Sequence, residues 1–125
     1  MIPNGEKRIL VVEDQQLVSD SLVMVLKHDG YEVDVAANGR EGISLYQTQK
    51  YALILTDYDM PEMNGQDFAA FVKAQNASQP IILMTAYYDL ASSTPSLPVD
   101  LILEKPWSVD ELRVAIRKVL PDEEI

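Results

Sequence analysis

The sequence predicts an α/β fold in which a doubly wound, five-stranded parallel sheet carries helices on both faces. Two observations support this prediction: short runs rich in Ile, Val and Leu recur along the chain, and amphipathic segments separate them. Because most of these runs lack polar alternation, they are typical of parallel strands buried on both faces. Strands that alternate with crossover helices form such sheets, and right-handed crossovers leave few topologies.

Five apolar runs are the predicted strands. They are Ile9 to Val12, Val33 to Ala36, Leu53 to Leu55, Ile81 to Met84, and Leu101 to Leu103. The second run is the weakest, because Glu32 and Asp34 alternate with its apolar residues. We therefore expect this strand at an edge of the sheet.

Helical spacing and capping residues predict helices between and after these runs. Asn38 with Glu41, and Ser108 with Glu111, each resemble a capping box at a helix start, and Gly30 ends the first helix. The apolar stripes are Val18, Leu22, Val25 and Leu26; Phe68, Phe71 and Val72 after Gly65; and Leu112, Ala115, Ile116 and Val119. These stripes are core positions.

The connection between the fourth and fifth strands is irregular. Pro95 and Pro98 exclude a long regular helix there, and the neighbouring serines favour turns. The predicted fold is therefore (βα)5 with a short or irregular fourth helix.

Composition narrows the class of protein. The 125 residues are the size of one domain, and a hydrophobic content of 47% is enough to fill its core. The chain has no cysteine, which fits a reducing cytoplasm, and no apolar run approaches the ~18 residues of a membrane helix. The net charge of −10 disfavours nucleic-acid binding, which requires clustered Lys and Arg. We expect a cytoplasmic protein that does not bind a membrane and does not bind nucleic acid through this domain.

Polar residues follow the predicted strands at their carboxyl ends. Ligands of such sheets bind beyond these ends, where the strand order reverses, and in the order 2-1-3-4-5 the reversal lies between strands one and three. Glu13, Asp14 and Asp57 would face one another there, with Thr85 and Lys105 following strands four and five. Three close carboxylates repel unless a cation offsets their charge, and oxygen ligands without His or Cys suit Mg²⁺.

Four segments together resemble the receiver domains of two-component response regulators. They are Ile-Leu-Val-Val-Glu13-Asp14, Leu-Ile-Leu-Thr-Asp57-Tyr-Asp-Met-Pro61-Glu-Met63-Asn-Gly65, Met-Thr85-Ala86 and Glu-Lys105-Pro106-Trp107. The resemblance extends from Arg8 to Leu120 and implies a flavodoxin-like fold. We expect residues 1–125 to form one receiver domain, either standing alone or excised from a longer regulator or hybrid kinase.

The resemblance implies a phosphorelay function. Asp57 is expected to accept a phosphoryl group from the phosphohistidine of a sensor histidine kinase or a histidine phosphotransfer protein. Lys105, the Thr85 hydroxyl and the Ala86 backbone N–H are expected to bind the phosphoryl oxygens. Such a domain is not an enzyme in the usual sense, because it catalyses only its own phosphoryl transfer and slow hydrolysis.

The resemblance also implies a Mg²⁺ site and a cis peptide bond. The side chains of Asp14 and Asp57 and the backbone carbonyl of Asp59 are expected to bind the ion, with Glu13 acting mainly through a water on it. Family members carry a cis bond before the proline that matches Pro106.

Taken singly, most of these residues have an ordinary structural explanation. Asp14 could cap the first helix, Thr85 could simply end a strand, and Lys105 could be a solvated surface residue. Only their joint placement at the strand ends favours the receiver function.

One position departs from the family pattern. Many receivers carry an aromatic residue on the fifth strand, three positions before the lysine, and its rotation follows the threonine. Ile102 stands there in this chain. Together with the irregular fourth helix, it predicts a different output surface or a role without switching.

Two other functions are alternatives. Asp57-Tyr58-Asp59 imitates the Asp-x-Asp motif of haloacid-dehalogenase phosphohydrolases, although the turn that follows differs and the chain lacks room for a substrate cap. The second alternative is a receiver-like interaction module that is never phosphorylated, which the complete set of acidic residues, threonine and lysine disfavours.

Overall fold

A computed structural model describes residues 7–86 and 97–120. Its elements are β1 (Arg8–Val12), α1 (Gln16–His28), β2 (Glu32–Ala36), α2 (Gly39–Thr48), β3 (Leu53–Asp57), α3 (Gly65–Gln75), β4 (Ile81–Thr85), β5 (Leu101–Glu104) and α4 (Val109–Val119). The predicted short or irregular helix before β5, with Pro95, falls largely on residues 87–96 and so outside the described residues.

The five strands form one parallel sheet in the order β2-β1-β3-β4-β5. This order confirms the predicted flavodoxin-like α/β fold and places β2 at an edge. Consecutive strands β1 and β2 lie side by side, whereas the chain passes over β1 to reach β3. The strand order therefore reverses between β1 and β3, as the prediction of the site requires.

The core has two parts, one on each face of the sheet. On one face, Leu22 and Leu26 of α1 and Ile116 of α4 pack against the strands. On the other face, Phe68 and Val72 of α3 do the same. Every residue of β3 and β4 is buried, which explains their unbroken apolar runs. None of the four described helices combines the length and the apolar content needed to cross a bilayer.

The acidic residues in β2 are paired with the strand beside it. Arg8 of β1 forms ion pairs with Glu32 and Asp34, and the hydroxyl of Tyr51 donates a 2.7 Å hydrogen bond to Asp34. Because these partners fix Arg8 opposite Glu32 in the ladder, they help to set the register of an edge strand whose apolar pattern is weak.

Helix ends follow the predicted signals closely. At α4, Ser108 and Glu111 form the complete capping box. At α2, the Asn38 side chain accepts from the Glu41 N–H, but the Glu41 carboxylate accepts from Ala37 and not from the cap residue itself. Helix α1 ends at His28, and the positive φ of 99° at residue 30 explains the glycine there.

Helix α3 begins directly beside the carboxyl end of β3. A Cβ atom at Gly65 would lie 2.3 Å from the backbone oxygen of Asp57 and 2.9 Å from the Cα of Tyr58. The Gly65 N–H donates to the Tyr58 carbonyl at 2.9 Å, which closes the loop between them. Only glycine lets α3 approach the end of β3 this closely.

We expect Gly65→Ala to lower the free energy of unfolding by about 2–3 kcal/mol, because the added methyl group meets backbone atoms that cannot rotate away. Urea denaturation measures this loss. Ser108→Ala, which removes only a helix cap, is the comparison and should cost about 1 kcal/mol. A loss at Gly65 no larger than the loss at Ser108 would contradict the close approach.

Candidate functional site

The predicted polar residues converge at the carboxyl edge of the sheet. Glu13 and Asp14 follow β1, Asp57 and Thr85 are the last residues of β3 and β4, and Lys105 comes directly after β5. The strand order brings these four strand ends together because β1, β3, β4 and β5 are successive neighbours in the sheet.

Three carboxylates form the centre of this site. Glu13, Asp14 and Asp57 each offer one oxygen, and these oxygens all lie within 4.8 Å of one another. Glu13 and Asp57 are buried, with 2% and 3% of their surfaces exposed, whereas Asp14 is exposed. The N-cap position of α1 is occupied by Gln15, without a side-chain cap hydrogen bond, so the alternative in which Asp14 serves as the cap does not hold.

The Glu13 carboxylate is held at one oxygen only. Its Oε2 accepts a 3.2 Å hydrogen bond from the backbone N–H of Gln15. Its Oε1 is buried and has no hydrogen-bond partner among the described residues. A buried, unsatisfied carboxylate oxygen is costly, and a cation or an ordered water is the usual partner for such an atom.

Burial and mutual repulsion shift the protonation of the cluster. Burial, and after it the nearby charge of Asp57, raise the pKa of Glu13 to about 7. Burial also raises the pKa of Asp57, while the hydrogen bond and charge of Lys105 oppose that rise and the charges of Asp14 and Asp59 add to it. The fully ionised cluster is therefore unfavourable unless positive charge is supplied.

Lys105 supplies part of that charge. Its ammonium nitrogen lies 2.5 Å from Oδ1 of Asp57, and its backbone N–H donates to the Thr85 carbonyl at 2.8 Å. The peptide bond between Lys105 and Pro106 is cis, as the resemblance implies. The alternative in which Lys105 is a solvated surface lysine is therefore wrong.

An open cavity lies beside Lys105 at the edge of the site. Ala86 is exposed, and it lines an open cavity of ≈ 640 Å³ together with Lys105, Pro106 and Trp107. Thr85, the last residue of β4, is buried.

The donor set fits Mg²⁺. Three carboxylate oxygens lie close together, one oxygen of Glu13 has no other partner, and the cluster contains no His or Cys. Hard oxygen ligands of this kind suit Mg²⁺, which keeps several waters and takes one or two carboxylates. Asp59 is exposed, and its side chain is not part of this cluster. The metal-binding role of its backbone carbonyl stays a prediction.

Sequence reasoning missed two contacts, one in the site and one beside the loop that follows Asp57. The Gln15 N–H that holds Glu13 had no sequence signal, because any residue supplies a backbone donor. The second is the contact between Met63 and Gly39 at the start of α2. The sequence places Met63 in the turn after Asp57, but it does not indicate that Gly39, 24 residues earlier, lies against it.

Residues 9–117 match the family model described as the response regulator receiver domain. Curated relatives include the response regulator ArlR of Staphylococcus saprophyticus, 33% identical over 90% of this chain, and the transcriptional regulatory protein CrdR of Helicobacter pylori, 34% identical over 96%. The matches cover 52% and 58% of those two proteins, so the chain spans about half the length of the curated relatives it matches.

Solved structures show the same likeness. The response regulator TrrA of Thermotoga maritima, determined in complex with Mg²⁺ and BeF, is 34% identical, with a TM-score of 0.84 over 90% of this chain and 98% of that one. A CheY-like receiver domain protein of Methanospirillum hungatei is 27% identical, with a TM-score of 0.85 over 93% and 94%.

We expect Glu13→Gln to stabilise the metal-free domain by about 1 kcal/mol, because the amide removes one charge from a repelling cluster and can donate to a neighbouring carboxylate. Urea denaturation in the presence of a chelator measures this gain.

The same substitution should weaken the stabilisation by Mg²⁺. For a wild-type chain with Mg²⁺ about 100-fold above its dissociation constant, that stabilisation is about 2.7 kcal/mol. Asp20→Asn, an exposed change on α1, serves as the control and should alter neither quantity. A destabilised metal-free Glu13→Gln would contradict the repulsion described above.

Proposed function

The chain belongs to the response regulator receiver domain family, and from this membership and the geometry of the pocket we propose that Asp57 accepts a phosphoryl group in a two-component phosphorelay. The observation that supports this most strongly is the convergence of three carboxylates and the Lys105 ammonium on the end of β3. The acidic pocket is of the kind that receiver domains use as a phosphoacceptor site.

In the proposed reaction the Asp57 carboxylate is the nucleophile. One of its oxygens forms the new O–P bond while the N–P bond of a donor phosphohistidine breaks, and the leaving imidazole takes up a proton. Lys105, the Thr85 hydroxyl and the Ala86 N–H stabilise the phosphoryl oxygens. Little further protein chemistry is needed, because positioning and charge neutralisation account for most of the catalysis of phosphoryl transfer.

We propose that the side chains of Asp14 and Asp57 and the backbone carbonyl of Asp59 hold Mg²⁺, with Glu13 contributing through water. When bound, the ion would neutralise the negative charge shared by the carboxylates and the phosphoryl group. The partnerless oxygen of Glu13 supports this assignment, as does the structure of the related TrrA with Mg²⁺ and BeF.

The partners follow from this chemistry. The proposed phosphoryl donor is a sensor histidine kinase or a histidine phosphotransfer protein, and the proposed output is an altered protein-interaction surface. We propose that residues 1–125 form one receiver domain that works in the cytoplasm without binding nucleic acid or membrane through this domain. It would catalyse only its own phosphoryl transfer and dephosphorylation.

The Asp-x-Asp phosphohydrolase remains the enzyme alternative, but the structure does not favour it. That mechanism requires the second aspartate, Asp59, as a general acid beside Asp57. The side chain of Asp59 is exposed and lies outside the carboxylate cluster. The interaction-module alternative gives no role to the ion pair between the buried Asp57 and the partly buried Lys105.

We expect the wild-type chain to gain the mass of one phosphoryl group when it is incubated with acetyl phosphate and Mg²⁺, because Asp57 is placed as a nucleophile among neutralising charges. Intact-mass spectrometry measures this gain. It should disappear without Mg²⁺ and in Asp57→Asn, and it should persist in Asp67→Asn, an exposed aspartate on α3 that serves as the control.

Two other results would separate the alternatives. No mass gain in the wild-type chain would favour the interaction module. Release of phosphate from a small phosphoester, abolished by Asp57→Asn, would favour the phosphohydrolase.

Ile102 bears on how phosphorylation of Asp57 would alter the surface of the domain. It lies half-buried on β5, opposite Leu83 in the ladder, and has no ring whose rotation could follow Thr85. We propose a different output surface or a role without the usual switch.

Amide resonances with and without beryllium fluoride and Mg²⁺ test this proposal. We expect shifts around Asp57, Thr85 and Lys105 that do not extend to residues 87–100 or along β5, because Ile102 has no ring to transmit a movement. Large shifts confined to residues 87–100 and β5 would show the usual switch and contradict the proposal.

A further inference from the structure

The first turn of α2 lies against the loop that follows Asp57. We call residues 58–64 the 58–64 loop. Gly39 opens α2 and is buried, and a Cβ atom built on it would lie 2.7 Å from Sδ, 3.1 Å from Cγ and 3.2 Å from Cβ of Met63. Met63 therefore lies directly on the face of Gly39 that has no side chain.

The contact with Gly39 involves the Cβ atom of Met63 as well as the end of its side chain, so it constrains the position of the loop backbone. A rotamer change could move Sδ of Met63 away from a new methyl group on Gly39, but Cβ is carried by the loop backbone and cannot rotate away. Apolar atoms prefer separations of about 3.5–4.0 Å. A methyl group on Gly39 therefore pushes the backbone of the 58–64 loop outward.

The 58–64 loop is closed tightly enough to transmit such a movement. The Met63 N–H donates to the Pro61 carbonyl at 2.7 Å, and the Gly65 N–H donates to the Tyr58 carbonyl at 2.9 Å. Glu62 has a φ of 71°, which a non-glycine residue keeps only when its surroundings hold it there. Asp59 lies inside this closed loop, two residues after Asp57.

The ion pair between α2 and the loop is weak. Arg40 and Glu62 are 3.7 Å apart, but both side chains are largely exposed, and such pairs contribute little. Met63 is partly buried and packs with the core cluster that contains Phe68 and Val12. The Gly39–Met63 contact therefore lies on the buried side of the loop, where it can fix the loop against α2.

We propose that Gly39 and Met63 are positioning residues that set the Mg²⁺ affinity of the phosphoacceptor pocket by fixing the 58–64 loop. This proposal rests on the proposed function, in which the Asp59 carbonyl is a metal ligand. Mg²⁺ demands near-ideal octahedral geometry at about 2.0–2.1 Å, so a shift of a few tenths of an ångström in one ligand weakens binding.

Gly39→Ala is the direct test, and Gly42→Ala is its matched control on the same helix. A Cβ atom on Gly42 would lie 2.9 Å from the Phe68 ring, so this change disturbs the core and not the loop. We expect Gly39→Ala to raise the Mg²⁺ dissociation constant about tenfold, the size of effect typical of residues that orient metal ligands. Gly42→Ala should change it by less than about twofold, although both variants lose stability.

A double-mutant cycle with Met63→Ala separates this positioning role from general destabilisation. Met63→Ala alone removes the packing that holds the loop and should also weaken Mg²⁺ binding; it introduces no clash, so it is usable even if Gly39→Ala does not fold. In the Met63→Ala background, Gly39→Ala should have a smaller further effect than in the wild-type chain, because the contacts with Sδ and Cγ are gone and only the 3.2 Å contact with Cβ remains.

The metal titrations are run by calorimetry, and amide spectra of the metal-free variants report the loop itself. Gly39→Ala should shift the resonances of Asp59 and Met63, and Gly42→Ala should not. Unchanged Mg²⁺ affinity in both Gly39→Ala and Met63→Ala overturns the proposal, even where loop resonances move. If the wild-type chain binds Mg²⁺ but takes no phosphoryl group, the proposed function fails while the positioning role stands on its own measurements.

Discussion

The ion pair between Lys105 and Asp57 joins the end of β5 to the end of β3, and it lies beside two further carboxylates. Three carboxylates with oxygens within 4.8 Å of one another repel, and burial of Glu13 and Asp57 makes their shared negative charge more costly. One ammonium group offsets only part of that charge. Three features keep this unfavourable cluster together. They are the order of the strands, the glycine at the start of α3 and the ion pair that Lys105 forms with Asp57.

Much of this arrangement could be predicted from the sequence, because it depends on short-range signals. Unbroken apolar runs identified β3 and β4, which are buried on both faces, and the alternation of Glu32 and Asp34 identified β2 as an edge strand. The polar residues directly after those runs had to gather at one edge of a parallel sheet. That gathering made Asp14 and Lys105 site residues, although each had an ordinary explanation when taken alone.

The rest depends on contacts between distant residues, which no local pattern reports. Nothing near Gly39 in the sequence indicates that Met63 packs on it, and the partnerless oxygen of Glu13 is a property of burial in three dimensions. The proximity of α3 to Asp57, which Gly65 permits, is likewise visible only in the structure. Membership of the family supports the fold and the phosphoacceptor chemistry. The curated relatives are about twice as long as this chain, so their partners are not carried over to it as findings.

The central claim is that the Glu13, Asp14 and Asp57 carboxylates together take up a divalent cation. A titration of the ¹⁵N-labelled wild-type chain with Mg²⁺ tests it most directly. The account predicts saturable shifts of the Glu13, Asp14 and Asp57 amide resonances with one common dissociation constant. Shifts spread over exposed acidic residues such as Glu32 and Glu111, without saturation at the cluster, would contradict it.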